Sequence, residues 1–167
     1  VHVKPTDRVL VLGVGRLGQL CARVLQLTGA QVVGVSRGQR RLELLPAGIT
    51  RCLLEDVEAH VGADLVVDCT GAADGLALAT SLVRPRGTVV LKTTIHDPSG
   101  LSPIPWVIDE IRLIGSRCGP VDAALRLLAA KLVDPTPLIS ARYSLHDGLA
   151  ALAAAAEPGQ VKVLLTP

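Results

Sequence analysis

The stretch Arg8-Val-Leu-Val-Leu-Gly-Val-Gly-Arg-Leu-Gly-Gln-Leu20 joins a short apolar run to a glycine-punctuated turn and then to helix-forming residues. It reads as strand, phosphate loop and helix. Gly13, Gly15 and Gly18 fall in the G-x-G-x-x-G spacing, in which the first glycine allows a tight turn, the second a close backbone approach by a pyrophosphate, and the third close packing of helix on strand. The amides that open the helix lack intrahelical partners and carry the positive end of its dipole, so Gly15, Arg16 and Leu17 offer a seat for an anion. Glycine-rich turns are common. The motif gains its meaning from context, with an apolar strand before it and a helix over Leu17 to Leu27 after it.

Working outward, Lys4-Pro5-Thr6-Asp7 is a turn that delivers the chain into the first strand. Gln31 to Val35 reads as a second strand with Ser36 and Arg37 at its carboxyl end, followed by a short helix, Gln39 to Leu45, stopped by Pro46. Strands are expected at Ile49 to Leu54, Asp64 to Cys69, Gly87 to Lys92 and Ile108 to Ile114, with an acidic turn or short helix at Glu55 to Val61 and a helix at Ala72 to Val83. This alternation specifies an α/β fold, a Rossmann-type doubly wound parallel six-stranded sheet. It occupies residues 1–137, and residues 138–167 form a short C-terminal appendage. The helix Val121 to Leu132 leads to Pro135-Thr136-Pro137, where the character changes. The appendage carries a strand-like piece from Leu138, a capping box of Ser144 and Asp147 before the alanine-rich helix Gly148 to Ala156, and a strand Val161 to Leu165.

With 167 residues, the chain has room for one well-buried core and little more. Hydrophobic residues make up 49% of it, yet there is no Phe or Met, so Leu, Val, Ala and Ile must build that core, as suits a parallel sheet covered by helices. A net charge of only +2, no long basic run and almost no aromatic residues argue against a nucleic-acid surface. No apolar stretch approaches the ~20 residues a membrane helix needs, and no charged-then-apolar leader stands at Val1, so no membrane association is expected and the protein is read as cytoplasmic. The partner is a small molecule.

Cys21, Cys52, Cys69 and Cys118 are widely spaced, unlike structural zinc ligands, and no bound metal is expected. Cys21 and Cys52 read as small buried hydrophobes. His2, His60, His96 and His146 have no catalytic partner at recognisable spacing, and Asp68 beside Cys69 reads as a strand end rather than as part of a nucleophilic pair. No catalytic residue is assigned.

The ordered set of segments resembles the coenzyme-binding half of the medium-chain, zinc-type alcohol dehydrogenases and reductases. Its members are Val3-Lys4-Pro5-Thr6-Asp7-Arg8, the glycine motif, Asp68-Cys69-Thr70-Gly71, Arg84-Pro85-Arg86-Gly87-Thr88-Val89-Val90-Leu91, Ile114-Gly115-Ser116-Arg117 and Lys162-Val163-Leu164-Leu165. The resemblance implies an NAD(P)-dependent oxidoreductase in which a small alcohol or carbonyl compound exchanges hydride with the nicotinamide. It also implies that about Ile139 to Pro167 returns to a separate catalytic lobe, preceding Val1 and absent from this chain, which carries the zinc ligands; the isolated chain is then expected to be inactive. Edge-to-edge homodimers are implied as well, in keeping with the sixth strand as an open edge beside the apolar run Leu101 to Val107. A different class, the ligand-sensing regulatory domains of potassium channels, shares the Gly-x-Gly-Arg-x-Gly string.

Thr70 and Gly71 end the fourth strand, where they wall a cofactor crevice or, for Thr70, cap a helix. Thr93 approaches the nicotinamide through its backbone, as the resemblance implies, or is an ordinary loop residue. Many NAD-binding relatives carry an acid where this chain has Ser36, and that acid accepts the ribose hydroxyls and repels a phosphate. Here the charge is gone and Arg37, Arg40 and Arg41 follow, either as a phosphate pocket that favours NADP over NAD, with Arg37 first and Arg41 behind it, or as a solvated helix start.

Overall fold

A computed structural model describes residues 1–94 and 102–167. His96 and Leu101 lie outside the described residues. The first half alternates β1 (Arg8–Leu12), α1 (Arg16–Gln26), β2 (Gln31–Ser36), α2 (Gln39–Glu43), β3 (Thr50–Leu53), a 3-10 segment (Leu54–His60) and β4 (Ala63–Asp68). The second half adds α3 (Gly75–Leu82), β5 (Val83–Leu91), α4 (Ile104–Ile108), β6 (Arg112–Gly115) and α5 (Val121–Ala129). The strands form a six-stranded sheet in the order β3-β2-β1-β4-β5-β6, with every neighbouring pair parallel.

The reversal of strand order between β1 and β4 opens a crevice at the carboxyl edge, directly above the glycine loop. Strand alternation sorts the core into two layers. Leu10, Leu12, Val33, Val35, Val66 and Val89 pack with Ala79 and Leu82 of α3, while Val9, Val11, Val32, Leu65, Val67 and Val90 pack with Ala22, Leu42 and Leu45 on the side of α1 and α2. Branched aliphatics on both faces of β1, β2 and β4 are what a doubly covered parallel sheet requires.

Several boundaries differ from the sequence reading: β5 begins at Val83 rather than Gly87, and α5 ends at Ala129 rather than Leu132. Helix α3 begins at Gly75 rather than Ala72, because Thr70 and Gly71 (φ +64°) first make a turn. The sixth strand starts at Arg112: Ile104–Ile108 is helical, and Trp106 anchors this helix by donating its indole N–H to Thr80 Oγ1 at 2.9 Å.

The C-terminal residues add β7 (Ile139–Ser144), α6 (Gly148–Ala156) and β8 (Lys162–Thr166), with β7 and β8 a parallel pair in a separate two-stranded sheet. The expected capping box is only half formed. Ser144 Oγ accepts the His146 N–H at 3.3 Å to open a 3-10 turn, and Asp147 makes no side-chain cap to α6.

Candidate functional site

Each glycine of the loop is held by a specific crowding. Gly13 sits at φ +81°, and a Cβ there would lie 2.7 Å from Thr70 Cα and 2.9 Å from the Cys69 carbonyl. Its N–H and that of Val14 donate to the Val35 carbonyl at 3.0 and 3.1 Å, which moors the loop to β2. A Cβ at Gly18 would collide with the Gly13 carbonyl oxygen, so α1 can press against the loop only without a side chain at that position. Gly15 is the N-cap of α1 and supplies no side-chain cap, which leaves the first-turn amides without a side-chain acceptor.

A cavity of about 310 Å³ opens beside this loop, bordered by Gly13, Ser36, Arg37, Arg41, Thr70 and Gly159. Ser36 is buried and its Oγ accepts the Gly38 N–H at 3.3 Å, so the serine turns the chain and leaves α2 to present its basic residues. Arg37, Arg40 and Arg41 are exposed, and none of the three makes an ion pair among the described residues. The Arg41 guanidinium lies 3.0 Å from where a Cβ on Gly15 would be, so a basic side chain reaches the N-cap of α1.

Thr70 does two jobs. Its N–H and Oγ1 donate to Asp68 Oδ1 at 2.9 and 2.7 Å, and its Oγ1 accepts the Ala72 N–H at 3.1 Å, so it caps a turn ahead of α3 while lining the cavity. Gly75 must lack a side chain because a Cβ would meet Thr70 Oγ1 and come within 2.9 Å of Asp68 Oδ1. Thr93 lies outside the cavity lining; its Oγ1 accepts the Gly71 N–H at 3.2 Å and donates to the Asp68 carbonyl at 3.4 Å. Arg16 does not face the cavity either, since its guanidinium donates to the Ala155 carbonyl at 3.2 Å and ties α1 to α6. Leu17 is exposed.

Sequence reasoning missed two contributors. Gly159 and Val161 of the C-terminal segment complete the cavity wall, and a Cβ on Gly159 would stand 2.7 Å from Arg40 Nη1. The Glu157-Pro158-Gly159 turn is visible in the sequence, but only the fold brings it over α2. The second is a buried polar network on α1. Gln19 Nε2 donates to the Arg41 and Val14 carbonyls at 2.6 and 3.2 Å, and Arg23 donates to Gln19 Oε1 at 2.6 Å, to the Leu44 carbonyl at 2.7 Å and to the Asp134 carbonyl at 3.2 Å. Burial lowers the Arg23 pKa from its ordinary value, opposed by the charge of Asp134. The two side chains carry the position of α2 into the loop.

A strand, a three-glycine turn at a topological switch point and a basic cavity mouth together define a dinucleotide-binding domain. Residues 17–133 match the zinc-binding dehydrogenase family, and the chain belongs to it. Among curated relatives, a candidate D-xylulose reductase of Agrobacterium fabrum is 30% identical over 178 residues, covering 98% of this chain and 51% of that protein. A sorbitol dehydrogenase of Halalkalibacterium halodurans is 30% identical, covering 96% of this chain and 52% of its own length. Among solved structures, a candidate zinc-binding dehydrogenase from Sinorhizobium meliloti 1021 bound to NADP superposes with a TM-score of 0.89 at 27% identity, covering 99% of this chain and 54% of that one. The chain thus spans about half the length of the curated relatives it matches. These relatives support the dehydrogenase reading and give none to the regulatory alternative. No helix among the described residues is long and apolar enough to cross a membrane.

Proposed function

We propose that this chain is the coenzyme-binding half of an oxidoreductase that prefers NADP(H) and acts on small alcohol or carbonyl compounds. The observation that carries the cofactor preference is a neutral, buried Ser36 followed by three exposed arginines without acidic partners at the cavity mouth. The cavity fits the cofactor's anionic parts. The backbone of Gly13, Gly15, Arg16, Leu17 and Gly18 would hold the pyrophosphate; Ser36 leaves room for a ribose phosphate, with Arg37 its main contact and Arg41 a second. Thr70 would wall the crevice, and Thr93, held beside Gly71, would face the nicotinamide end through its backbone. When bound, the cofactor supplies hydride transfer, and this domain supplies its orientation.

The names of the relatives, a xylulose reductase and a sorbitol dehydrogenase, favour polyol-like substrates for the whole protein. The described residues contain no group of three or more His, Cys, Asp or Glu able to hold a metal and so offer no zinc ligand set, which supports assigning any zinc chemistry of the whole protein to residues outside this chain. Unpaired thiols at Cys21, Cys52, Cys69 and Cys118 favour a reducing, cytoplasmic setting. The open edge of β6, with Leu113 and Ile114 each 38% exposed, favours pairing with a second copy. Ile111→Pro is a poor test of that edge, because Ile111 is buried and donates its N–H to the Trp106 carbonyl; Leu113→Lys leaves the backbone intact, and sedimentation should show it shifting a dimer to monomer.

The deciding experiment is calorimetric titration of NADPH and NADH into wild type and Arg37→Ala at two salt concentrations. A charge-assisted contact is worth roughly 1.5–3 kcal/mol, so NADPH should bind about ten- to hundredfold more tightly, nearer the lower end for an exposed arginine, and the margin should shrink with salt. Equal binding of the two cofactors by wild type, or equal loss of both in Arg37→Ala, would reduce the arginines to a solvated helix start.

A further inference from the structure

Two neighbouring arginines of α2 border the cavity and part company there, as consecutive residues of a helix do by pointing about 100° apart. Arg41 reaches Gly15, whereas Arg40 runs to the C-terminal residues and lies on Gly159. A Cβ on Gly159 would stand 2.7 Å from Arg40 Nη1, 3.4 Å from its Cζ and 4.0 Å from its Nε, so the guanidinium rests against the bare face of that glycine. Gly159 is the third residue of the turn Glu157-Pro158-Gly159-Gln160, in which the Gln160 N–H donates to the Glu157 carbonyl at 3.3 Å. Proline in the second place and a glycine at φ +88° in the third are what a type II turn asks for. The turn is tied down on both sides: the Ala155 carbonyl accepts from Arg16 at 3.2 Å, and the Val161 N–H donates to Ser140 Oγ at 2.9 Å. Arg40 has no carboxylate partner among the described residues, so its contact with the turn is what places it.

We propose that the turn at 157–160 is a second determinant of cofactor choice: its side-chain-free Gly159 seats Arg40 in the cavity, where Arg40 binds the phosphate on the cofactor's adenosine ribose. The inference rests on the NADP(H) reading above and adds to it a positioning residue far along the chain from the arginine it serves. A phosphate monoester carries about two negative charges and three acceptor oxygens, more than one arginine satisfies. A second guanidinium beside Arg37 supplies further donors, in a planar fork that takes such oxygens two at a time. A free arginine loses rotamer freedom when it binds. One that already rests on a fixed turn has lost part of that freedom beforehand, so the seat raises affinity for the phosphate, and an adenosine without that phosphate gains nothing from it.

A methyl group at position 159 should undo the seat without undoing the fold. The atom it meets first is the tip of a flexible side chain, which can swing into solvent, and the turn bears only the strain of an alanine at positive φ. Gly62 supplies the comparison, since it has φ +86°, no atom within 4 Å of where its Cβ would be, and no place in the cavity lining. Gly62→Ala therefore carries the same kind of backbone strain and displaces no arginine.

The test titrates the full chain with adenosine 2′,5′-bisphosphate and with adenosine 5′-monophosphate, which differ only in the ribose phosphate, and reads the ratio of their affinities. Arg40→Ala should lower that ratio about tenfold, the lower end for a charge-assisted contact made by an exposed arginine. Gly159→Ala should lower it about fivefold, and the double variant should fall no further than Arg40→Ala, because both changes remove one contact. Gly62→Ala should keep the wild-type ratio even where it lowers the melting temperature. Should Gly159→Ala not fold, Gly159→Asn brings the same Cβ on a residue at ease with positive φ and is read in the same way. A wild-type ratio in the position-159 variant, or additive losses in the double variant, would overturn the inference, while a preference that Arg37→Ala abolishes leaves the NADP(H) reading standing. Equal binding of the two probes by wild type would instead sink that reading, and the inference with it.

Discussion

The two faces of α1 follow opposite rules. The face turned inward carries Gln19 and Arg23, at 0% and 6% exposure, while Leu17, Leu20, Val24 and Leu27 along the same helix and its cap are 37% exposed or more. A surface helix ordinarily hides its apolar stripe and shows its polar one. Here the buried polar pair costs little because its donors have partners: the carbonyls of Val14, Arg41, Leu44 and Asp134, and Gln19 Oε1. The outward apolar side chains stay open to solvent. The difference teaches that α1 holds a loop on one side and leaves an apolar face open to solvent on the other.

The strongest way to break this comparison is Arg23→Ala, which strips donors from Gln19 Oε1 and the Leu44 and Asp134 carbonyls. Urea unfolding should show a loss of about 3 kcal/mol, as for other deletions within buried hydrogen-bonded networks. Gly18→Ala attacks the same face through shape, since its methyl meets the Gly13 carbonyl, and should cost about 2 kcal/mol together with most of the dinucleotide affinity.

An exposed polar contact supplies the contrast. The Arg8 backbone N–H, at 2.8 Å, and the Arg84 guanidinium hold the Asp64 carboxyl below its usual range. A depressed folded-state pKa contributes stability that is present above the unfolded value and is lost as pH falls through the folded one. Asp64→Asn should therefore lower stability at pH 7 by less than about 1 kcal/mol and flatten the acid limb of a stability–pH curve below roughly pH 4. The smallest effect belongs to the outer face of α1: Leu20→Ser and Val24→Ser should each stay within about 0.5 kcal/mol of wild type in thermal melts of this chain. A large loss there would mean that the two side chains are already covered, for example by self-association, and sedimentation of the same samples would reveal it.

This contrast also explains what the sequence could and could not disclose. Strand periodicity, the glycine spacing and the missing acid at Ser36 are local signals, and β1, β2 and β4 appear within a residue or two of where hydrophobicity places them. The partners of Gln19 and Arg23 come from α2, the glycine loop and Asp134, more than a hundred residues away in the last case, and no period reports such a meeting. The same holds for Gly159 against Arg40, which only the return of the chain brings together. The strand expected from Ile108 begins only at Arg112, because a short apolar run carries no period that separates strand from helix; a tertiary anchor, the indole of Trp106 on Thr80, accompanies the helical outcome.

That anchor has an optical consequence. The chain has one tryptophan and one tyrosine, so its near-ultraviolet emission reports on essentially a single place, the contact between α4 and α3 beside the edge strand. Unfolding of this corner can be followed without labels, by steady-state and lifetime measurements that need no deconvolution. Trp106→Phe would leave the chain almost dark, a blank against which the fluorescence of a reduced nicotinamide could be read directly.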